Sequence, residues 1–271
     1  MKIHRPALKY YGGKWRTAPW VLSFFPEHIN YLEPCGGAAS VLLQKKPSKL
    51  ETYNDIDGRV VNFFEVLRDS VEELIFLLNK TPWSRRELLN SKNISPCRLE
   101  DARRFFVYSW QAFSHATTSW RCQTNFTTRQ RQPSRDMLEL KHLEAIADRL
   151  ITVQFENDDA LKVIKKFDSD NTLIYFDPPY LQSTRKHVDR YSYETDDNFH
   201  YKAAEILNNA SGFVIVSGYK SREYKDLYES RGWKRYDKNV VCNAGAKRVE
   251  SIYLSPKTQE KLKLPEQLKL F

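Results

Sequence analysis

The chain has 271 residues, of which 43 are Lys or Arg and 34 are Asp or Glu, giving a formal charge of +9. Apolar residues at 41% and aromatics at 13% exclude a disordered polyelectrolyte, and no apolar run approaches the roughly 18–20 residues needed to cross a bilayer. The length suits one full α/β domain with an insertion, or two small domains, and what remains is a soluble protein expected in the cytoplasm, with a basic surface that favours an anionic partner, nucleic acid first. The stretch from Met1 to Trp15 lacks the apolar core of a secretory signal. Cys35, Cys97, Cys122 and Cys242 lie far apart with no CxxC pair, so neither a zinc site nor a disulfide framework is expected.

In chain order, Tyr31-Leu32-Glu33 reads as a strand leading through a small-residue turn, Pro34 to Ser40, into a helix-like stretch from Val41 to Lys45. Leu50 to Asp55 reads as the next strand. Val60, Phe64, Leu67, Val71, Leu74 and Leu78 recur at spacings of three and four, which predicts one long helix with an apolar face. A helix is expected from Glu100 to His115, then a loop-rich stretch over 116–135 that holds Arg121, Arg129, Arg131 and Arg135 and no acidic residue. A helix from Met137 to Leu150 restores strand–helix alternation. Strands at 151–156, 172–177 and 213–218, helices at 158–166, 199–210 and 221–230, and two final strands near 233–242 and 248–254 follow. Between them, Leu181 to Asn198 is a long polar loop. This order predicts a mainly parallel sheet flanked by helices, with a terminal antiparallel hairpin. Residues 1–80 and 137–271 would form the catalytic domain and 81–136 a mostly helical inserted domain.

Four segments carry chemistry. Asp177-Pro178-Pro179-Tyr180 ends the apolar strand TLIYF, and ligands of open α/β sheets bind beyond the carboxyl ends of strands. Each proline holds the residue before it extended and removes an N–H donor. The turn therefore offers acceptors, the Asp177 carboxylate and the Pro178 carbonyl, to a substrate amino group, and Tyr180 offers a flat ring to an aromatic substrate. The second segment is Glu33 to Ser40 (EPCGGAAS), a small-residue turn without the basic ending of a phosphate-binding loop. The third is YNDID, where Asp55 sits at the end of the second strand, a common position for accepting ribose hydroxyls; Asp57 is either that ligand or a helix cap. The fourth, Tyr10-Tyr11-Gly12-Gly13-Lys14, taken alone is an ordinary turn.

Together and in this order these segments resemble the Dam-type DNA adenine methyltransferases. Lys9 to Lys14 is similar to the family's K-[WY]-x-G-G-K segment, EPCGGAAS to its EPFxGxGS turn, YNDID to its acidic second strand and DPPY to its catalytic motif. The segment from Asn243 to Arg248, followed by Glu250 to Leu254, resembles its closing segment. The resemblance spans roughly residues 7–255. It implies a Rossmann-like methyltransferase fold and methyl transfer from S-adenosylmethionine to the N6 amine of a flipped-out adenine. Cofactor contacts are implied for Tyr10, Lys14, Glu33, Gly37, Asp55, Asp158 and Asp177. Asp177, Pro178, Pro179 and Tyr180 are implied as the catalytic motif. No metal is implied. The expected substrate is double-stranded DNA, acted on by a monomer in the bacterial cytoplasm or a phage-infected host.

Two departures stand out. Cys35 replaces the family's usual Phe, and Ala39 its second Gly. The family's usual target-recognition pattern is also absent between Ser109 and Arg135, so a GATC specificity is not expected. DNA contacts are expected from Trp120, Arg121, Phe126, Arg129 and Arg131 in the acid-free stretch, with Trp120 or Phe126 wedging into the stack, and from Arg185 and Lys186 after the catalytic motif. Two other readings compete: an RNA adenine methyltransferase, and a DNA-binding protein with a decayed cofactor site.

Overall fold

The structure is a computed structural model that describes residues 3–113, 119–122, 132–181, 197–241 and 247–262. Its centre is a seven-stranded sheet formed by β1 (Asn30–Glu33), β2 (Leu50–Asn54), β3 (Val153–Glu156), β4 (Thr172–Phe176), β5 (Phe213–Gly218), β6 (Lys234–Val241) and β7 (Lys247–Leu254), in the order β3-β2-β1-β4-β5-β7-β6. The first five strands are parallel, and β7 lies antiparallel between β5 and β6. This is the mainly parallel sheet with a terminal antiparallel hairpin that the strand–helix alternation predicts.

Strand alternation explains why both faces are covered. In β4, Leu173 and Tyr175 enter one core, whereas Ile174 and Phe176 enter the other. The first core is closed by α2 (Gly58–Asp69), α5 (Arg98–Gln111) and α7 (His142–Leu150), with Phe63 stacked on Phe106 at 6.1 Å. The second is closed by α8 (Ala160–Phe167), α9 (Asp197–Asn208) and α10 (Arg222–Leu227) through Val163, Ile164, Ala203, Leu207 and Tyr224. Buried Glu51 of β2 is held by Lys45 at 2.5 Å and by Arg149 of α7, which ties the chain after β1 and the helix α7 to the second strand.

Three local expectations are corrected. The helix-like stretch after the first turn, Val41 to Lys45, is only turns, because the Leu42 amide is taken by the Glu33 carboxylate instead of a preceding carbonyl. The predicted long helix is two helices, α2 and α3 (Val71–Asn79). Ser70, at φ −146° and ψ 48°, interrupts them while the apolar spacing runs on unbroken. Glu72 and Glu73 then fall in the first turn of α3, where the helix dipole favours acids. The 137–150 helix begins only at His142, preceded by the short α6 (Pro133–Met137). Before these, α1 (Ala18–Leu22) and α4 (Arg85–Ser91) complete the described helices of the first half, and α11 (Pro256–Leu262) follows β7.

The chain leaves β1 toward β2 on one side of the sheet, and β4 lies on the other. A crevice therefore opens at the carboxyl ends of β1 and β4, the switch point where such sheets bind ligands. No described helix is long and apolar enough to cross a membrane.

Candidate active site

Three strand ends converge on this crevice, and Asn54 joins them. Its side-chain amide donates to the Pro34 carbonyl at 2.8 Å and the Asp158 carbonyl at 3.0 Å, and its oxygen accepts from the Asp158 amide. Asn54 is fully buried, and its partners are far away in sequence, so nothing in the motif YNDID marked it. The next residue, Asp55, accepts from the Gly37 amide at 2.8 Å on one oxygen and from the Asp57 amide at 2.9 Å on the other. Asp57 caps α2, accepting from the Arg59 amide at 3.0 Å, and it also lines the crevice.

The turn after β1 needs its small residues. A Cβ on Gly36 would overlap the Tyr53 ring, whose hydroxyl donates to the Gly37 carbonyl at 2.6 Å. Gly37 has φ +47°. Ala39 has φ +52°, a left-handed conformation that an L side chain occupies at a cost of about 1–2 kcal/mol. The Ala39 methyl is buried in the first core, so part of that cost is offset by packing. Opposite this turn, the Tyr10 ring lies beside Gly37, and the Tyr10 carbonyl accepts from the Gly13 amide at 3.2 Å.

Lys14 connects the N-terminal segment to DPPY. Its ammonium donates to the Gly12 carbonyl at 3.1 Å, pairs with Asp177 Oδ1 at 3.1 Å and lies 4.7 Å from the centre of the Tyr180 ring. Tyr180 is buried. Its hydroxyl donates to Glu250 Oε2 at 3.0 Å, and its ring meets the Tyr219 ring edge to face at 4.5 Å.

A cavity of about 500 Å³ joins these pieces. Tyr10, Lys14, Glu33, Gly37, Asp55 and Asp177 all line it, together with Pro178 and Pro179. Phe199, the third residue of α9, also lines it, although nothing in the sequence around it separates a cavity aromatic from a core one. Among the described residues the wall carries five carboxyl groups, Glu33, Asp55, Asp57, Asp159 and Asp177, against the single lysine Lys14. Burial pushes Glu33 up to about 8, against the bonds it accepts from the Tyr31 hydroxyl at 3.0 Å and the Leu42 amide at 3.1 Å. Asp55 is raised to about 6, again by burial, and Asp177 is raised by burial against the pull of Lys14. Such a wall fits a ligand that carries positive charge, and its Gly-rich turn lets that ligand approach the backbone.

Asp158 stands apart from the other expected cofactor contacts. Its side chain is half exposed and pairs with Lys162 at 3.3 Å, outside the cavity wall. Asp159 stands on the wall instead, and its carboxylate also caps α8 by accepting from the Leu161 amide at 2.9 Å. Adjacent acids point to opposite sides, and the sequence alone does not say which.

Among the expected DNA contacts, Trp120 and Arg121 are described. Trp120 is half-buried with Arg85 over its ring at 5.3 Å, and it pairs as an isolated bridge with Ala112. The Arg121 amide donates to the Gln111 carbonyl at 2.8 Å. Phe113, on the facing side of this stub, is 76% exposed. Phe126, Arg129, Arg131, Arg185 and Lys186 lie outside the described residues.

Residues 10–242 match the profile of the family described as D12 class N6 adenine-specific DNA methyltransferase. A curated relative, the Type II methyltransferase M1.LlaDCHI of Lactococcus lactis subsp. cremoris, is 23% identical over 249 residues, covering 83% of this chain and 84% of that protein. Among solved structures, the methyltransferase domain of bacterial CtHen1 aligns with 89% of this chain and 97% of its own, at 11% identity and a TM-score of 0.38. Precorrin 8W decarboxylase of Methanobacterium thermoautotrophicum aligns with 88% of each chain, at 9% identity and a TM-score of 0.35. Those two structural likenesses are too slight to carry weight; the family match rests on most of the chain. The chain belongs to the D12 class of N6 adenine-specific DNA methyltransferases, enzymes that methylate adenine in DNA.

Proposed function

We propose that the cavity holds S-adenosylmethionine and that the target adenine, rotated out of double-stranded DNA, enters beside the Pro178-Pro179 turn. The observation that carries this reading is the position of Asp177. It lies on the wall of an acid-lined cavity and also opens the rigid turn whose acceptors suit an amino group. When bound, the cofactor supplies a methyl group activated by a sulfonium leaving group. The remaining steps belong to this chain. Glu33, Asp55 and Asp159 offset the cofactor's positive charge, and Gly36 and Gly37 let it sit against the backbone. Tyr10 covers it from the N-terminal side. Asp177 and the Pro178 carbonyl accept the two N6 hydrogens, which favours a pyramidal nitrogen with its lone pair aimed at the methyl group. Tyr180 stacks on the base and offsets part of the few kcal/mol lost on unstacking it.

For the duplex, Arg121, Arg129, Arg131, Arg185 and Lys186 are assigned to phosphates or guanine edges, with 116–135 as the target-reading stretch. The half-buried Trp120 suits an anchor for that stretch; Phe126, or the exposed Phe113, suits a wedge. The Type II relative supports a place in a restriction–modification pair.

Calorimetric titration with S-adenosylmethionine tests the cofactor assignment. Asp55→Ala, which frees the Gly37 amide, is expected to weaken binding at least tenfold, whereas Asp158→Ala stays within twofold of the parent. The reverse order of effects would overturn it.

A further inference from the structure

A half-buried acid near the reacting end of the site, Glu250, has no part in the steps assigned so far. Glu250 sits on β7 where that strand extends past its pairing with β5: Gly218 is opposite Ser251, and Glu250 is the next residue outward. The antiparallel insertion of β7 thus brings its side chain to the carboxyl end of β5, across from the DPPY turn at the carboxyl end of β4. The Glu250 side chain is only 14% exposed and is absent from the cofactor cavity wall, so it serves something other than the cofactor.

Its contacts show what. Oε2 accepts from the Tyr180 hydroxyl at 3.0 Å and lies 4.0 Å from the Lys14 ammonium. That ammonium pairs with Asp177 and sits over the Tyr180 ring. Tyr219 closes the ring's edge at 4.5 Å, and its hydroxyl is held in turn by Arg248, two residues before Glu250 on β7. A phenol ring pivots about its Cα–Cβ and Cβ–Cγ bonds. The phenol oxygen lies on the Cβ–Cγ axis, so a fixed acceptor there holds the swing of the ring about Cα–Cβ with the longest lever, while Tyr219 at its edge and Lys14 over its face hold its rotation about that axis.

We propose that Glu250 is a positioning residue for methyl transfer: through the Tyr180 hydroxyl it fixes where the ring stands, and so where the target adenine stacks against it. This rests on the reading of Tyr180 and Asp177 given above. A base tilted or displaced by about 1 Å from its attack geometry loses on the order of a hundredfold in rate. Glu250 therefore acts on the chemical step and leaves cofactor binding alone.

The test uses the full chain, tritiated S-adenosylmethionine and DNA from a methylation-free host. Glu250→Leu keeps the stem volume and removes the acceptor; Glu250→Gln keeps an acceptor; each is combined with Tyr180→Phe, which removes the hydroxyl that Glu250 holds. Thermal melting first establishes that each variant folds. The expected result is a fall in kcat of at least tenfold for Glu250→Leu, with KM for S-adenosylmethionine within twofold of the parent. Glu250→Gln should return to within threefold of the parent kcat. In the Tyr180→Phe background, the Glu250→Leu effect should shrink to threefold or less. The proposal is overturned by Glu250→Leu at parental kcat, by an equal loss in Glu250→Gln, by an undiminished effect in the Tyr180→Phe background, or by a loss confined to KM. If Glu250→Leu fails to fold, Glu250→Gln alone decides, because a loss beyond tenfold there contradicts the acceptor role and recovery supports it. A parent protein that methylates no adenine would count against the functional reading itself, separately from the ratios among variants.

Discussion

Replacing Glu33 by Gln isolates the electrostatic character of the cofactor cavity. Glu33 is almost fully buried, and its carboxyl is raised from an ordinary 4.5 to about 8 by the loss of solvent. Between those two values the folded chain keeps a proton that the unfolded chain has released. Stability contributed by that proton is complete below pH 4.5 and is lost as pH rises through 8. At 1.36 kcal/mol per pH unit, the two units from pH 5.5 to 7.5 remove roughly 3 kcal/mol. A glutamine carries no charge, and its amide oxygen can accept from both the Tyr31 hydroxyl and the Leu42 amide, so the variant lacks this slope. Asp55, raised to about 6, contributes a slope of the same sign to both proteins and cancels in the difference. Urea denaturation of the cofactor-free protein at several pH values measures it. Glu33→Gln is expected to gain roughly 3 kcal/mol on the parent between pH 5.5 and 7.5. Parallel stability curves for the two proteins would refute the burial argument, and so would a constant offset at every pH.

Three further outcomes follow from the same geometry. A cationic cofactor favours ionised Glu33 and Asp55, so its binding near neutral pH should release protons and tighten as pH rises from 6 to 8; titration calorimetry in buffers of different ionisation enthalpy reads this directly, and buffer-independent heats would contradict it. Gly36→Ala forces the new methyl into the Tyr53 ring and should cost about 1–3 kcal/mol of stability with a marked loss of cofactor affinity. A variant with the parent's melting temperature and affinity would show that the turn is looser than described. Arg121→Ala should weaken DNA binding uniformly across sequences and lower the salt slope by about one if Arg121 contacts a phosphate, or relax one base position if it reads a guanine; binding unchanged in both respects would remove it from the interface.

The sequence displays most of the catalytic frame because local rules wrote it. Apolar runs such as TLIYF and FVIVSG form parallel strands buried on both faces, and the prolines after Asp177 stop β4 where a ligand can reach it. What stayed hidden depends on direction or distance. Asp158 and Asp159 are adjacent acids at a strand–helix junction, and only the fold turns one outward and the other onto the cavity wall. Ser70 breaks the long helix without disturbing its apolar spacing, so periodicity could not report it. Asn54 and Glu250 act through partners 20 to 104 and 70 residues away in the chain, contacts that exist only once the sheet has assembled. Ala39 is a different case. The family comparison flags the residue, and its φ of +52° supplies the physical reason a glycine usually stands there.

If Asp177 holds the adenine amine for methyl transfer, as proposed, its loss stops the reaction, and mass spectrometry of nucleosides reads this from methylation-free double-stranded DNA incubated with S-adenosylmethionine and either the parent or Asp177→Ala. N6-methyladenine from the parent and at least a thousandfold less from the variant is the predicted result. Methylation of another base, or Asp177→Ala within tenfold of the parent, would contradict it.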